Sequence, residues 1–299
     1  MNQPTVVPGS AKIREHGFFG RRFSFPLPLL PFFIFVGYFL AWPITKVFIA
    51  SLKSNDNKWT LSNYGPLLHG IYFHAFTVSI KIGLITALLG AIFGGLFAFV
   101  IDSYAGPKIT SVLDSISAVF ANSGGVPLAF TFLASFGANA GLIKLLKSWG
   151  WDLYAEGFSI FSFTGVCIVY IFFQAPLMVL VFKPALKGLR KEWREASTSL
   201  GGSNAVYLRK VAIPILFPSF VGSFLLLFAG GFSAFATASA LTVGNVPLIP
   251  LIIGNLINGN VISDKTHLGA SLAIGAIVIA FFAMSGYIWA QRKSNQWRK

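Results

Sequence analysis

Of 299 residues, 55% are hydrophobic and only 11% charged, less than half the roughly 25% charge of a soluble domain. That deficit excludes the one or two soluble domains such a length would otherwise allow. The net charge of +14 does not mark a nucleic-acid surface, because the cations gather in short loops and at the termini rather than over one folded face. The single cysteine, Cys167, sits in an apolar run; it has no partner for an intrachain disulfide and reads as a small buried residue.

In chain order, residues 1–26 form a mostly polar segment carrying Lys12, Arg14, Arg21 and Arg22. The apolar run that follows, 27–50, is too long for a signal-peptide core and ends in no small-residue cleavage site, so it reads as an uncleaved first span. A spanning helix needs roughly 20 apolar residues. Five more stretches qualify: 75–101, 117–136, 160–182, 214–241 and 268–291. A shorter one, 246–257, is about half the required length. It also carries Pro247, Pro250, Gly254 and Asn255, so it reads as a re-entrant or surface segment. The expected fold is therefore an all-α membrane protein: one six-helix domain over 27–291, with a terminal segment before it and a tail at 292–299.

Positive charge orients the spans. The N-terminal segment, the loop at 102–116, the loop at 183–213 and the tail together hold sixteen of the twenty-three Lys and Arg residues. The opposite loops hold six, with Lys81 left inside a span. Both termini and the 183–213 loop are thus expected in the cytoplasm, as an even number of spans requires.

The 183–213 loop is the most informative stretch. Pro184 is expected to break the preceding span, and Gly201-Gly202 to end a first short helix, since glycine takes the left-handed conformation cheaply. Ser203 suits the cap of a second helix. Ala196, Leu200, Tyr207 and Val211 recur near helical spacing, a weak apolar stripe among charges. On composition alone, a solvated basic connector explains the loop equally well.

Its spacing says more. Glu195-Ala196-Ser197, then Gly201, then Ile213-Pro214 resembles the EAA signature of the permease subunits of binding-protein-dependent ATP-binding-cassette importers. Ser197 replaces the usual alanine and Gly202 stands where alanine is common; both are small. The resemblance implies a type I importer permease of the bacterial cytoplasmic (inner) membrane, itself not an enzyme. It implies a coupling helix docked on a separate ATPase, with Glu195, Ala196, Ser197, Leu200, Gly201, Gly202 and Tyr207 at or near the contact. Two copies of that ATPase would bind ATP and Mg, so this chain needs no cofactor. A second permease, expected to be a different chain, would complete the pathway, and an extracytoplasmic solute-binding protein would deliver the solute. A narrower resemblance rests on Gly124-Gly125-Val126-Pro127, on Gly137-Ala138-Asn139-Ala140-Gly141, and on Val246-Pro247-Leu248-Ile249-Pro250. It points to the polyamine, ferric-iron, thiamine and aminoalkylphosphonate subgroup, with polyamine first and sugar also in view.

Other functions lack residues. No phosphate-cradling Gly-x-x-x-x-Gly-Lys-Ser/Thr run occurs, and the nine carboxylates form no paired site. His16, His69, His74 and His267 show no metal-ligand spacing. A carrier or channel should bury ionisable residues, and only Lys81 and Asp114 come near; Lys81 is expected to snorkel outward, and Asp114 to cap or pair locally. Polar and small residues gather within the spans at Asn122, Ser123, Gly124 and Gly125, and again at Ser233, Thr237 and Ser239. Helix packing alone would use such residues; as a group they are the candidate pore lining. Pro127 and Pro218 are expected kinks. The loops at 51–74 and 242–267, with Trp59, Tyr64 and Tyr72, face outward, where a binding protein would dock or the rings would anchor at the interface.

Overall fold

The computed structural model describes residues 29–242, 244–258 and 265–296, with residues 295 and 296 described by backbone only. The expected 1–26 segment with its four cations, the start of the first span, part of the 242–267 loop and the end of the tail lie outside the described residues. Among the described residues the regular elements are helical, apart from a lone antiparallel bridge between Lys53 and Trp59. Six helical stretches among the described residues are long and apolar enough to cross a membrane.

The described residues up to Lys46 form one compact unit and those from Val47 another. The first contains most of α1 (Leu30–Ser51). Its aromatic side chains run along the helix, with Phe35 and Phe39 ring centroids 4.5 Å apart and Tyr38 stacked on Trp42 at 5.8 Å. Lys46 Nζ lies 4.9 Å from the Trp42 ring. A helix apolar on every side belongs in lipid or in a large core.

The second unit is built around α2 (Gly70–Tyr104) and α6 (Phe163–Leu186). Their approach is set by glycines on α2. A Cβ added at Gly94 would fall 2.2 Å from the Ala175 carbonyl oxygen, and one at Gly90 would fall 2.9 Å from Gln174 Cβ. Small residues let membrane helices touch backbone to backbone, where lipid provides no hydrophobic drive. The other face of α2 presents Leu84, Leu88, Phe93 and Leu96 outward, an extent of exposed apolar surface suited to hydrocarbon. Lys81 lies on this same outward face, about three turns in, because α2 starts at Gly70. Helix α9 (Ile213–Ser233) packs on α2, and α12 (Thr266–Gln296) on α9, again through glycines: Gly222 meets Ala290, and Gly286 meets Leu225. The 246–257 stretch forms the nine-residue α11 (Ile249–Ile257), packed on α12 and α2 and too short to span.

Four sequence expectations need correction. The third span is not one helix over 117–136. The chain makes α3 (Pro107–Asn122), a break at Ser123-Gly124-Gly125, and α4 (Val126–Phe136). Pro127 has no N–H to reach back to the Ser123 carbonyl, and its ring would collide there; it opens α4 instead of kinking a longer helix. The third spanning stretch runs over Val126–Ser148 and includes α5 (Gly141–Ser148). The fifth span is likewise broken, with Ala234 and Phe235 separating α9 from α10 (Ala236–Thr242). There the Ala234 carbonyl accepts the Tyr170 hydroxyl at 2.9 Å, a tertiary bond in place of a helical one. Pro184 does not end α6, which runs on to Leu186; one missing donor is tolerated in such a helix. Asp114 does not pair locally: its carboxylate takes Lys183, 69 residues away on α6, and Lys183 is only 5% exposed.

Candidate functional site

The 183–213 loop folds as two helices at an elbow, α7 (Lys191–Ser199) and α8 (Asn204–Tyr207). The elbow closes through two hydrogen bonds. Gly202 N donates to the Ser197 carbonyl at 2.8 Å and Gly201 N to that of Thr198 at 2.9 Å. This is the Schellman arrangement, which needs a left-handed residue at its turn; Gly201 supplies it with φ +78°. At Gly202 the limit is space, since a Cβ would lie 2.7 Å from the Ser197 carbonyl oxygen. Ser203 Oγ then accepts from Val206 N at 3.4 Å, capping α8. A π-turn over Leu208–Ala212 carries α8 into α9.

Helical spacing sorts the α7 side chains. Trp193 and Ser197 are half-buried toward the bundle, while Glu192, Glu195, Ala196 and Ser199 are exposed on the outer face. Leu200, just past the helix, is 89% exposed, an apolar side chain held out at the tip. Tyr207 departs from the sequence expectation. It is buried, so the supposed stripe of Ala196, Leu200, Tyr207 and Val211 is not one surface. The elbow sends α8 in a new direction and turns Tyr207 inward.

The second region is where the two broken helices meet. Gly125 N donates to Thr237 Oγ1 at 2.8 Å, joining positions 112 residues apart. Gly125 has φ +106° and ψ −156°, a conformation for glycine alone. Around this junction Asn122, Gly124, Ser233 and Ser239 are exposed and Ser123 half-buried, whereas Thr237 is buried. Thr237 therefore ties the breaks together rather than facing open space. Most of the polar side chains here satisfy themselves on their own helices: Asn122 Nδ2 on the Ala118 carbonyl, Ser123 on Phe120, Ser233 on Ala229, Ser239 on Ala236. None of these groups is charged, so the surface can offer hydroxyls, an amide and backbone dipoles.

Sequence reasoning missed three contributors. Tyr170 fixes the fifth-helix break through its hydroxyl; a tyrosine deep in an apolar run was the available signal, since a buried hydroxyl needs a partner. Gln174 is fully buried between α2 and α9, donating to Thr86 Oγ1 at 3.0 Å beside Gly231. By sequence Lys183 reads as a loop charge, yet it anchors the end of α6 to α3. On the opposite side, Tyr64 bonds Ser51 at 2.8 Å while Trp59 stands 70% exposed. A cavity of about 460 Å³ opens there between His74, Ser159, Ser162 and Asn245.

Residues 90–295 match the family described as binding-protein-dependent transport system inner membrane component. The chain is 27% identical over 220 residues to a probable sulfate transport system permease of Helicosporidium sp. subsp. Simulium jonesii, covering 73% of this chain and 76% of that one. It is 25% identical over 255 residues to the trehalose transport system permease of Mycobacterium tuberculosis, covering 82% and 85%. Among solved structures, a chain of a bacterial importer of the acidic polysaccharide alginate superposes with a TM-score of 0.68 at 14% identity, over 92% of this chain and 96% of that one.

Proposed function

The chain belongs to the family of binding-protein-dependent transport system inner membrane components, non-catalytic multi-pass membrane subunits, and from that premise we propose that it forms half the translocation pathway of an ATP-driven importer. The observation that carries this reading is the α7 elbow. A short helix with Glu195 and Ala196 on its outer face, ended by a glycine turn and followed by exposed Leu200, is a rigid knob for a cleft on a soluble partner. That partner is a separate ATPase, present in two copies and binding ATP and Mg, whose closure draws the knobs together and tilts the spans. A second permease, a different chain, supplies the other half, and a solute-binding protein docks on the opposite face near loops 51–74 and 242–267. The charge asymmetry of the loops supports a cytoplasmic elbow and cytoplasmic termini in a bacterial inner membrane.

The pathway runs past the junction of the broken helices, where Asn122, Ser123, Gly124, Ser233 and Ser239 gather around the Gly125–Thr237 bond. Helix breaks beside spanning stretches are tolerated where the irregular backbone lines a cavity. The solute is small and polar. Polyamine is the class the sequence resemblance puts first, but the relatives above are named for sulfate and trehalose, and an uncharged junction favours no sign of charge. The binding protein therefore sets the choice.

Affinity purification of the tagged chain in mild detergent, followed by mass spectrometry, tests this reading. Recovery of an ATPase subunit and a second permease is expected. A chain that comes out alone and moves solute in vesicles without ATP would overturn it.

A further inference from the structure

A cavity of about 610 Å³ lies beside α7, on the face away from Ala196. Four cations line it: Lys187 and Arg190 from the link after α6, and Lys191 and Arg194 from α7. Asp102, near the end of α2, is the one carboxylate in the wall. Among the described residues the ion pairs are Lys147–Asp152 and Lys183–Asp114, so none of the four cations is held in an ion pair there, and they outnumber the one carboxylate. Arg194 is steadied by a hydrogen bond from Nη2 to Asn204 Oδ1 at 3.2 Å, and the Arg190 guanidinium lies 5.8 Å from the Trp193 ring. The wall also holds the start of α7, whose first amides have no side-chain cap; that end of a helix favours an anion. The arrangement is a concave basic surface with its charge unspent.

What lies next to it decides the class of anion. Apolar Phe99, Leu186 and Leu189 complete the wall. The last turns of α2 continue outward as an exposed strip, with Phe97 at 49%, Val100 at 50% and Tyr104 at 83%. Cations at the end of a membrane helix with an apolar strip leading from them match a headgroup and its chain, whereas a free anion has no use for the strip.

We infer that this cavity holds the phosphodiester headgroup of an anionic phospholipid, with an acyl chain along the end of α2. The inference rests on the reading that this loop faces the cytoplasmic leaflet. A lipid held between the end of α2 and α7 would brace the elbow, so its occupancy would tune the transmission of ATP-driven motion.

The test uses the whole importer complex reconstituted in phosphatidylcholine vesicles containing phosphatidylglycerol as the minor lipid, then read by native mass spectrometry. The wild type is expected to retain phosphatidylglycerol in preference to phosphatidylcholine, and millimolar inorganic phosphate should leave it bound. Each cation near a membrane surface contributes about fivefold, so the triple variant Lys187→Gln, Arg190→Gln, Lys191→Gln should hold the lipid on the order of a hundredfold less well. A Lys187→Arg, Lys191→Arg variant should retain it, which separates lost charge from lost folding. Equal retention by the wild type and the triple variant would overturn the site, as would equal retention of phosphatidylcholine. Displacement by phosphate would make the occupant a free anion and overturn the lipid assignment. The same spectra report whether ATPase subunits are present; their absence would overturn the importer reading while leaving the lipid count legible.

Discussion

Two glycine pairs break helices in this chain, and they do so by different physics. Gly201-Gly202 lies in a polar loop, and its break is satisfied within six residues through the bonds to Ser197 and Thr198. Gly124-Gly125 lies in an apolar run, and the Gly125 N–H finds its partner on Thr237, 112 residues away. In each pair one glycine holds positive φ, Gly201 at 78° and Gly125 at 106°. In water, a helix end left open can bond solvent, so a local motif suffices. In hydrocarbon an open end is costly, and the break survives only where another element supplies the acceptor. The loop break is therefore a self-contained knob, while the break in the apolar run ties the start of α4 to α10.

This comparison can be broken at either pair. The largest effect is expected at Gly125→Val, which forces a branched side chain into a glycine-only conformation at a cost of about 3 kcal/mol. The complex should lose much of its folded yield and melt earlier in detergent. Gly124→Ala should be nearly silent, since its Cβ would meet the Phe173 ring at an ordinary 3.7 Å. Next comes Thr237→Val, which strands the half-buried Gly125 amide and should cost about 1.5 kcal/mol. Thr237→Ser should recover most of that loss. If valine and serine melted alike, the long-range bond would not be what holds the break. A smaller effect is expected at Ser203→Ala, where a lost cap costs about 1 kcal/mol. It should loosen α8 locally, seen as faster amide exchange over 204–207, with uptake reduced by less than half.

The same contrast explains what could be read from the sequence. Gly201-Gly202 and Ser203 were legible because their partners lie within one turn, among charges that already mark a loop. The six spanning stretches were legible because length and hydropathy are local sums. The breaks at 123–125 and 234–235 were not, since glycine and alanine are ordinary inside membrane helices. What decides them is Thr237 for one and the Tyr170 hydroxyl for the other. The Lys183–Asp114 pair was hidden for the same reason. Each residue looked like a local charge, and only the packing of α3 on α6 brings them together. Tyr207 was misplaced because a helical stripe was extended across an elbow that ends the helix.

The central claim is that the α7 elbow passes work between a soluble ATPase and the spans. Gly201→Asp tests it most directly. Aspartate tolerates the left-handed conformation better than most residues, so the elbow should keep its shape while gaining a charge and a side chain beside Leu200. The variant should insert and assemble normally in vesicles, yet lose solute-stimulated ATP hydrolysis and uptake together. Normal hydrolysis with normal uptake would contradict the account.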